Sequence, residues 1–352
     1  MVAAHSDLGT IAAEWDALAE ETGAAPFLRP GWIAAWSDAF GAGRLHVLTS
    51  RRAGELRGVL PLHVSRGHVR GAANWHSPEF GAVARDEDAA AELASSLARL
   101  RPRRLTLPFL DPDGLTHAAV ARALAGTGYR PLVRVLEEQP WVDLAAGREA
   151  FEAGLDAKFL RDLRRRRRKL DEAGTVEVDV RDGSERLDAL LDEGLRLEPS
   201  GWKGRTAIAA SPATLAFYRS VCGWAAARGW LRLAFLRVDG RAIAFELALE
   251  QRRSWWFLKG GFDRAWHRYA PGRLLVHAML ERAFERRLAT FELLGGAEPW
   301  KLEWTRALRP RVQLQAFAPS LAGRADWVAH AHVRPAAKRV RVVDRAVLAL
   351  RR

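Results

Sequence analysis

The residues best suited to chemistry lie in one segment, from Trp255 to Leu275. The segment predicts a strand, then a loop, then a helix that begins at Pro271 and Gly272 and continues with Arg273. The first backbone N–H groups of a helix have no partner within the helix and carry partial positive charge, so such a start binds anions. The first function that the sequence indicates is therefore the binding of a phosphorylated ligand.

The net charge of +13 is concentrated in two segments of the 352-residue chain. Residues 158–169 contain eight Lys or Arg and one Asp, and residues 324–352 contain eight Lys or Arg and two Asp. The remaining residues are balanced in charge, so two basic elements extend from a neutral body. This distribution is unlike the broad positive surface that favours nucleic-acid binding.

Length and composition limit the class of protein. The length predicts two domains, and fourteen Trp argue against disorder. No long uncharged apolar run and no secretory pattern are found, so we expect a cytoplasmic protein without a membrane-spanning helix. Cys222 is the only cysteine, and we expect it to be a small buried apolar residue rather than a nucleophile. The spacing of the His residues predicts no metal site.

Hydrophobic periodicity predicts an α+β fold that positions these residues. The predicted helices span 7–22, 30–40, 86–100, 115–125, 150–172, 184–198, 212–228 and 273–287. The predicted strands span 45–50, 56–64, 105–109, 132–135, 141–142, 176–180, 231–238, 242–249, 254–259 and 291–294. Each half contains a hairpin and a later helix–strand pair, which indicates an internal duplication with a boundary near 145–150.

A series of short motifs stands in order along the second half of the chain. The motifs are Gly201-Trp-Lys-Gly-Arg-Thr206, Phe217-Tyr-Arg219, Leu236-Arg-Val-Asp-Gly-Arg-Ala-Ile-Ala244, Lys259, Tyr269-Ala-Pro-Gly-Arg-Leu-Leu275 and Leu294-Gly-Gly-Ala-Glu-Pro-Trp-Lys-Leu-Glu-Trp-Thr305. The series resembles the GNAT-type acyltransferase domain of the CelD (cellulose biosynthesis protein) group, which is similar to the Fem peptidoglycan aminoacyltransferases. Segments that begin at Pro26 and Gly58 match the same group, so the resemblance covers roughly residues 20–318.

The resemblance implies two tandem GNAT-like domains, each a mixed, mostly antiparallel sheet flanked by helices. Residues 1–148 would form a degenerate N-terminal domain, 149–320 the acyltransferase domain, and 321–352 a basic tail. The implied activity is the transfer of an acyl group, acetyl in the simplest case, from acyl-CoA to an amine without a metal. The amine would attack the thioester directly in a ternary complex.

In such folds the pyrophosphate of CoA lies on the start of the helix after the fourth strand, which is Arg268–Arg273 here. Pro271 has no N–H, so Gly272 and Arg273 must supply the donors. The backbone of the strand at Leu258–Gly260 would polarise the thioester carbonyl. The expected donor-binding residues are Leu258, Gly260, Arg268, Pro271, Gly272, Arg273 and Leu274.

Acyl transfer needs a base for the amine and an acid for the leaving thiolate. Glu246, the only charged residue of an apolar strand, is the candidate base, and its alternative is an outward-facing charge. Tyr269 is the candidate acid, with ordinary loop packing as its alternative. Lys259 would bind phosphate or an acceptor carboxylate, or else extend to solvent from the end of its strand.

The acceptor would be a small-molecule, saccharide or peptide amine. Residues near the two later motifs are expected to contact it, although aromatic residues there would fit a core equally well. These candidate acceptor-binding residues are Trp202, Lys203, Arg205, Glu298, Lys301 and Trp304.

Two other functions remain open. A Fem-like aminoacyltransferase using aminoacyl-tRNA would explain the arginine run at 164–168 and the departure of Arg268–Arg273 from the common CoA signature. A non-enzymatic module would bind an anionic polymer or a membrane surface through the two basic elements, the tail making peripheral membrane contact.

Overall fold

The computed structural model describes residues 2–198 and 208–333. The helices of this part are α1 (Ala12–Glu21), α2 (Pro30–Phe40), α3 (Glu87–Arg99), α4 (Leu115–Leu124), α5 (Gly147–Ala153), α6 (Ala157–Asp171), α7 (Leu187–Leu197), α8 (Pro212–Ala227), α9 (Pro271–Glu285) and α10 (Leu321–Val328). Its strands are β1 (Val2–His5), β2 (Arg44–Arg52), β3 (Glu55–Ser65), β4 (His68–Gly71), β5 (Val83–Ala84), β6 (Arg104–Leu110), β7 (Arg130–Asp143), β8 (Val176–Arg181), β9 (Leu231–Val238), β10 (Arg241–Gln251), β11 (Ser254–Phe262), β12 (Thr290–Glu292) and β13 (Leu308–Phe317). The candidates Trp202, Lys203 and Arg205 lie outside the described residues, as does the tail beyond 333.

Contacts divide the described chain into two compact units, and each unit consists of more than one segment of the chain. Unit 1 comprises 2–33, Gly41–Leu136 and 311–333, and unit 2 comprises Ala34–Phe40 and the described residues of Glu137–Pro310. These units differ from the expected domains in where the chain passes from one to the other. The domains 1–148 and 149–320 therefore stay a prediction.

Unit 1 contains a mixed sheet in the order β1-β2-β3-β4-β6-β13, with β5 beside β3. Its pairs are antiparallel except β4 and β6, which run parallel over three residue pairs. Parallel neighbours need a long crossover connection, and here α3 lies within it.

The strands of unit 2 follow the order β7-β12-β11-β10-β9-β8, and 137–143 is the part of β7 that belongs to this unit. The β9–β10 hairpin turns at Asp239-Gly240, where both residues have positive φ, as the sequence predicts. The parallel pair β11–β12 is connected by α9. The expected α+β class, with mostly antiparallel sheets flanked by helices, is confirmed.

The two faces of the unit 2 sheet are covered by different helices. Even-numbered side chains of β10, such as Ala244 and Ala248, pack in one core with α6 and α9. From Phe245 onward the odd-numbered side chains point the other way, and a Cβ added at Gly194 of α7 would lie 2.4 Å from the ring of Phe245. Side chains of a strand alternate between faces, so the position of each site residue follows from its register.

The predicted single helix over 150–172 is wrong, because the structure has two helices there. The first helix ends at Ala153, and Asp156, whose backbone is extended (φ −61°, ψ 123°), then caps α6. The Asp156 carboxylate accepts hydrogen bonds from the backbone N–H of Lys158 at 2.6 Å and of Phe159 at 3.0 Å. An N-cap that satisfies two N–H groups begins a new helix despite the continuous apolar periodicity.

Candidate active site

A cavity of about 330 Å³ lies beside the start of α9 in unit 2. Its walls come from β10, β11, α9 and the loop that follows β12. The lining residues are Phe245, Glu246, Phe257, Gly260, Gly261, Phe262, His267, Ala270, Gly272, Arg273, Leu275, Val276 and Trp300. The wall is mostly aromatic and aliphatic, which is typical of a site that buries a ligand and orients it with few polar groups. We call this the α9 cavity.

The strands β11 and β12 separate next to the α9 cavity. Their parallel register covers three pairs and ends at Trp256 and Glu292, whereas β11 continues to Phe262. On its other side β11 stays paired with β10, but the register shifts between Leu247 and Ala248, so one extra residue stands in β11. This bulge at Leu258 brings Gly260 opposite Glu246. A residue without a side chain thus stands beside the carboxyl group.

Glu246 is buried, with 1% of its surface exposed. Its Oε1 accepts a hydrogen bond from Trp255 Nε1 at 2.7 Å, while Oε2 has no hydrogen-bond partner within the described residues. Burial raises the pKa of the Glu246 carboxyl to about 8, and the hydrogen bond from Trp255 opposes that rise. A buried carboxyl with one unpartnered oxygen at a cavity wall has the properties of a general base.

The start of α9 is open to an anion. Its N-cap is Ala270, which has φ +51° and gives no side-chain cap, and no acidic residue stands in the first turn. Gly272 leaves the wall uncrowded, since an added Cβ would meet only Phe262, at 3.5 Å. Arg273 lines the cavity with its guanidinium held by both carboxylate oxygens of Glu303, each at 2.7 Å.

The crossover helix of unit 1 starts in the opposite way. Asp86 caps α3 by accepting a hydrogen bond from Ala89 N at 2.9 Å, and Glu87 and Asp88 follow in the first turn. Three carboxylates at a helix start repel an anion, and Asp86 already occupies one of the N–H donors. Of the two crossover helices, only α9 has a start suited to phosphate.

Arg268 and Tyr269 are not among the residues that line the α9 cavity. They line a second cavity with residues of α6, and Arg268 Nη2 donates to the hydroxyl of Tyr269 at 2.7 Å. The structure therefore does not bring Tyr269 together with Glu246. The role of Tyr269 as the acid stays a prediction.

The side chains of Lys259 and Glu246 lie on different faces of the sheet. Lys259 pairs with Leu247, one register position from Gly260, so its side chain points toward α7 and α8. Its Nζ lies 5.6 Å from the centre of the Tyr218 ring, a cation–π contact. Glu246 and Lys259 therefore cannot act on one reacting atom in this arrangement.

The remaining predicted residues have clear structural positions. Leu258 forms the bulge, whereas Pro271 and Leu274 are buried at the first turn of α9. Lys301 is buried, and its Nζ donates to Leu294 O at 2.6 Å and Gly296 O at 3.2 Å. These contacts stabilise the turn after β12, so the ammonium of Lys301 has a structural role in that loop.

Glu298 and Trp304 also have structural surroundings. Glu298 accepts from Trp300 Nε1 at 3.0 Å and lies 3.3 Å from Lys301 Nζ. Trp304 is 1% exposed and packs edge-on against Phe159. Their roles in acceptor binding stay a prediction.

Sequence reasoning missed several residues of the site. Trp300 lines the cavity, Trp255 holds Glu246, and Glu303 holds Arg273. Alternation along β11 gives a signal for Trp255, whose side chain must share a face with Phe257. The pairing of Glu303 with Arg273 links residues 30 apart and has no local signal.

Comparisons with known proteins agree with this architecture. Residues 157–302, within unit 2, match the family model described as an acetyltransferase (GNAT) domain. No curated protein matches the chain. Among the described residues, no helix is long and apolar enough to cross a membrane, and no group of His, Cys, Asp and Glu is arranged to hold a metal ion.

Three solved structures are similar over most of the chain. The C-terminal domain (DUF2156) of a putative lysylphosphatidylglycerol synthetase from Agrobacterium fabrum is 18% identical, with a TM-score of 0.54 over 90% of this chain and 96% of that one. L-PGS from Bacillus licheniformis is 12% identical, with a TM-score of 0.54 over 90% and 96%. FemX is 10% identical, with a TM-score of 0.58 over 87% and 96%.

At these identities the likeness shows the fold alone. It confirms the expected α+β fold over most of the chain and the expected relation to Fem proteins at the level of fold, whereas the GNAT-type domain is shown for residues 157–302 by the family model. Membership of the CelD group stays a prediction.

Proposed function

We propose that this protein is an N-acyltransferase that moves an acyl group, acetyl in the simplest case, from acyl-CoA to an amine. The observation that carries the proposal is Glu246, a buried carboxyl whose Oε2 has no partner within the described residues and which lines the α9 cavity. An unsatisfied buried oxygen is costly, and a ligand N–H would remove that cost. The match of 157–302 to the GNAT domain model supports the same class of reaction.

Glu246 accepts the proton that the acceptor amine must lose. The amine nitrogen bonds to the thioester carbonyl carbon, the C–S bond breaks, and the thiolate takes up one proton, so the reaction is balanced without a metal. A base with a pKa of about 8 is well matched to an amine near neutral pH, because it is partly ionised and still basic. The apolar walls from Phe257, Phe262 and Trp300 exclude water from that transfer.

The open start of α9 anchors the donor. The backbone N–H groups after Pro271 and the positive end of the helix suit the pyrophosphate of CoA. Arg273 is held by Glu303 and fixes the position of the cavity wall. Since the α3 start of unit 1 is closed by carboxylates, we expect one donor molecule per chain.

Calorimetric titration with acetyl-CoA and longer acyl-CoAs tests the proposal, followed by a thiol-release assay with a panel of amines. We expect one binding site per chain, and Glu246→Gln should retain that binding while turnover falls at least about 100-fold, the usual worth of a general base. A correctly folded protein that binds none of the acyl-CoAs would refute the proposal.

The alternative donor is an aminoacyl-tRNA. The specific observation in its favour is α6, where eight Lys or Arg stand against two Asp over Ala157–Asp171. Tight binding of tRNA that weakens steeply with salt, together with no binding of acyl-CoA, would support this alternative. The acceptor in either case is a small-molecule, saccharide or peptide amine.

A further inference from the structure

A second cavity, of about 510 Å³, lies between α6 and the segment that precedes α9. Its lining residues are Arg165, Arg166, Lys169, Glu172, Ala173, Arg268 and Tyr269. Four cations thus face one carboxylate, and we call this the basic cavity. A concave surface that gathers charge of one sign concentrates the opposite charge.

Two of these cations are held in place. Arg166 is half-buried and hydrogen-bonds both Asp162 Oδ2 at 2.6 Å and the carbonyl oxygen of Arg268 at 2.5 Å. Arg268 lies over the ring of Tyr269, with 4.7 Å between its Cζ and the ring centre. Guanidinium groups fixed in this way lose little side-chain entropy when an anion binds.

The other two cations remain available. Arg165 is exposed and, in the part of the chain that the structure describes, has one ion pair, with Asp162. Lys169 is exposed, and within residues 2–198 and 208–333 no carboxylate lies within ion-pair distance of its ammonium. The cavity therefore has an excess of positive charge that its own carboxylates do not neutralise.

The basic cavity adjoins the proposed donor site. His267 and Ala270 line the α9 cavity, whereas Arg268 and Tyr269, between them in sequence, line the basic cavity. A ligand whose phosphates lie at the start of α9 can therefore reach the basic cavity with a further group. Four cations favour a group with two negative charges, such as a phosphate monoester, over a neutral or singly charged group.

We propose that the basic cavity binds the phosphate monoester that CoA carries on its ribose, so that α6 selects the donor. This inference rests on the proposed function and extends it to donor recognition. Arg165 and Lys169 supply the adjustable charges, and Arg166 and Arg268 supply the fixed ones.

Steady-state kinetics with acetyl-CoA and acetyl-dephospho-CoA, which lacks that phosphate, test the assignment. For the wild type we expect KM to be about tenfold lower with acetyl-CoA, and the preference to shrink with added salt. In the double variant Arg165→Gln/Lys169→Gln, KM for acetyl-CoA should rise to that for acetyl-dephospho-CoA, with kcat unchanged. Arg168→Gln is the matched control, because Arg168 is exposed on the same helix and does not line the cavity.

The outcomes separate this assignment from the proposed function. Equal KM values for the two donors with the wild type would overturn the assignment and leave the acyl-CoA activity standing. Equal weakening of both donors in the double variant would also overturn it. No binding of acetyl-CoA to the wild type refutes both. If total tRNA binds the wild type but not the double variant, and CoA affinity is the same in both, the basic cavity binds RNA and the assignment is overturned.

Discussion

The substitution Glu246→Gln tests the central feature of the site without a ligand. The side chain keeps its size, and its amide oxygen can still accept the hydrogen bond from Trp255 Nε1. The charge is removed, so the variant differs from the wild type only where Glu246 would ionise. Stability should therefore respond to pH differently in the two proteins.

The sign and size follow from the pKa. Burial raises the pKa of Glu246 from 4.5 to about 8, so the folded chain holds a proton that the unfolded chain releases between these values. Folding stability therefore falls as pH rises through that window. Each pKa unit corresponds to about 1.4 kcal/mol. The raised pKa therefore lowers the free energy of unfolding of the wild type by about 1 kcal/mol at about pH 5 and by roughly 4 kcal/mol at about pH 8.

Urea unfolding of both proteins across this pH range measures the effect. Relative to the wild type, the free energy of unfolding of the variant should rise by roughly 3 kcal/mol as the pH increases from about 5 to about 8. Glu285→Gln, on the exposed side of α9, is the control and should follow the wild type. A stability difference that stays constant with pH would refute the claim that Glu246 is held neutral by burial.

Three further predictions concern the start of α9 and its supports. Gly272→Asp should weaken acyl-CoA binding about tenfold by placing a carboxylate at the helix start, whereas Gly272→Ala should bind normally, as calorimetry will show. Lys301→Met should lower the free energy of unfolding by about 2–4 kcal/mol, because two backbone carbonyls lose their buried donor; unchanged urea unfolding would contradict this. Gly261→Ala should cost about 1–3 kcal/mol, since its Cβ would come within 2.4 Å of the backbone at the end of α7, whereas Gly296→Ala, with open space around it, should be neutral by the same measurement.

The sequence predicted those parts of the fold that local rules decide. Ser211 and Pro212 mark the start of α8, and Asp239-Gly240 marks the hairpin, because capping and turn geometry act within a few residues. Helix α6 shows where such rules compete, since the Asp156 cap overrides an apolar periodicity that continues through it. Strand β13 went unpredicted, because its partner β6 is distant in sequence.

The site was likewise predicted only where local features of the sequence decide the position of a residue. Glu246 and Gly272 were predicted from residue type and position, and both line one cavity. Strict alternation along β11 does not hold past Phe257, so the face of Lys259 could not be found from its position in the sequence. The partners of Arg273 and Lys301 depend on how the loop after β12 folds back, which no local pattern encodes.

The bulge at Leu258 determines which amino acid stands opposite the carboxyl group. In a strand that alternated without interruption, Lys259 would take the place of Gly260 beside Glu246. An ammonium there would form an ion pair, lower the pKa of the carboxyl and fill the cavity with its aliphatic chain. The spacing of the chain from Phe257 to Gly260 therefore sets the acidity of Glu246. In an alignment of related sequences, a one-residue gap in this stretch would mark a change of chemistry even if every side chain of the site were retained.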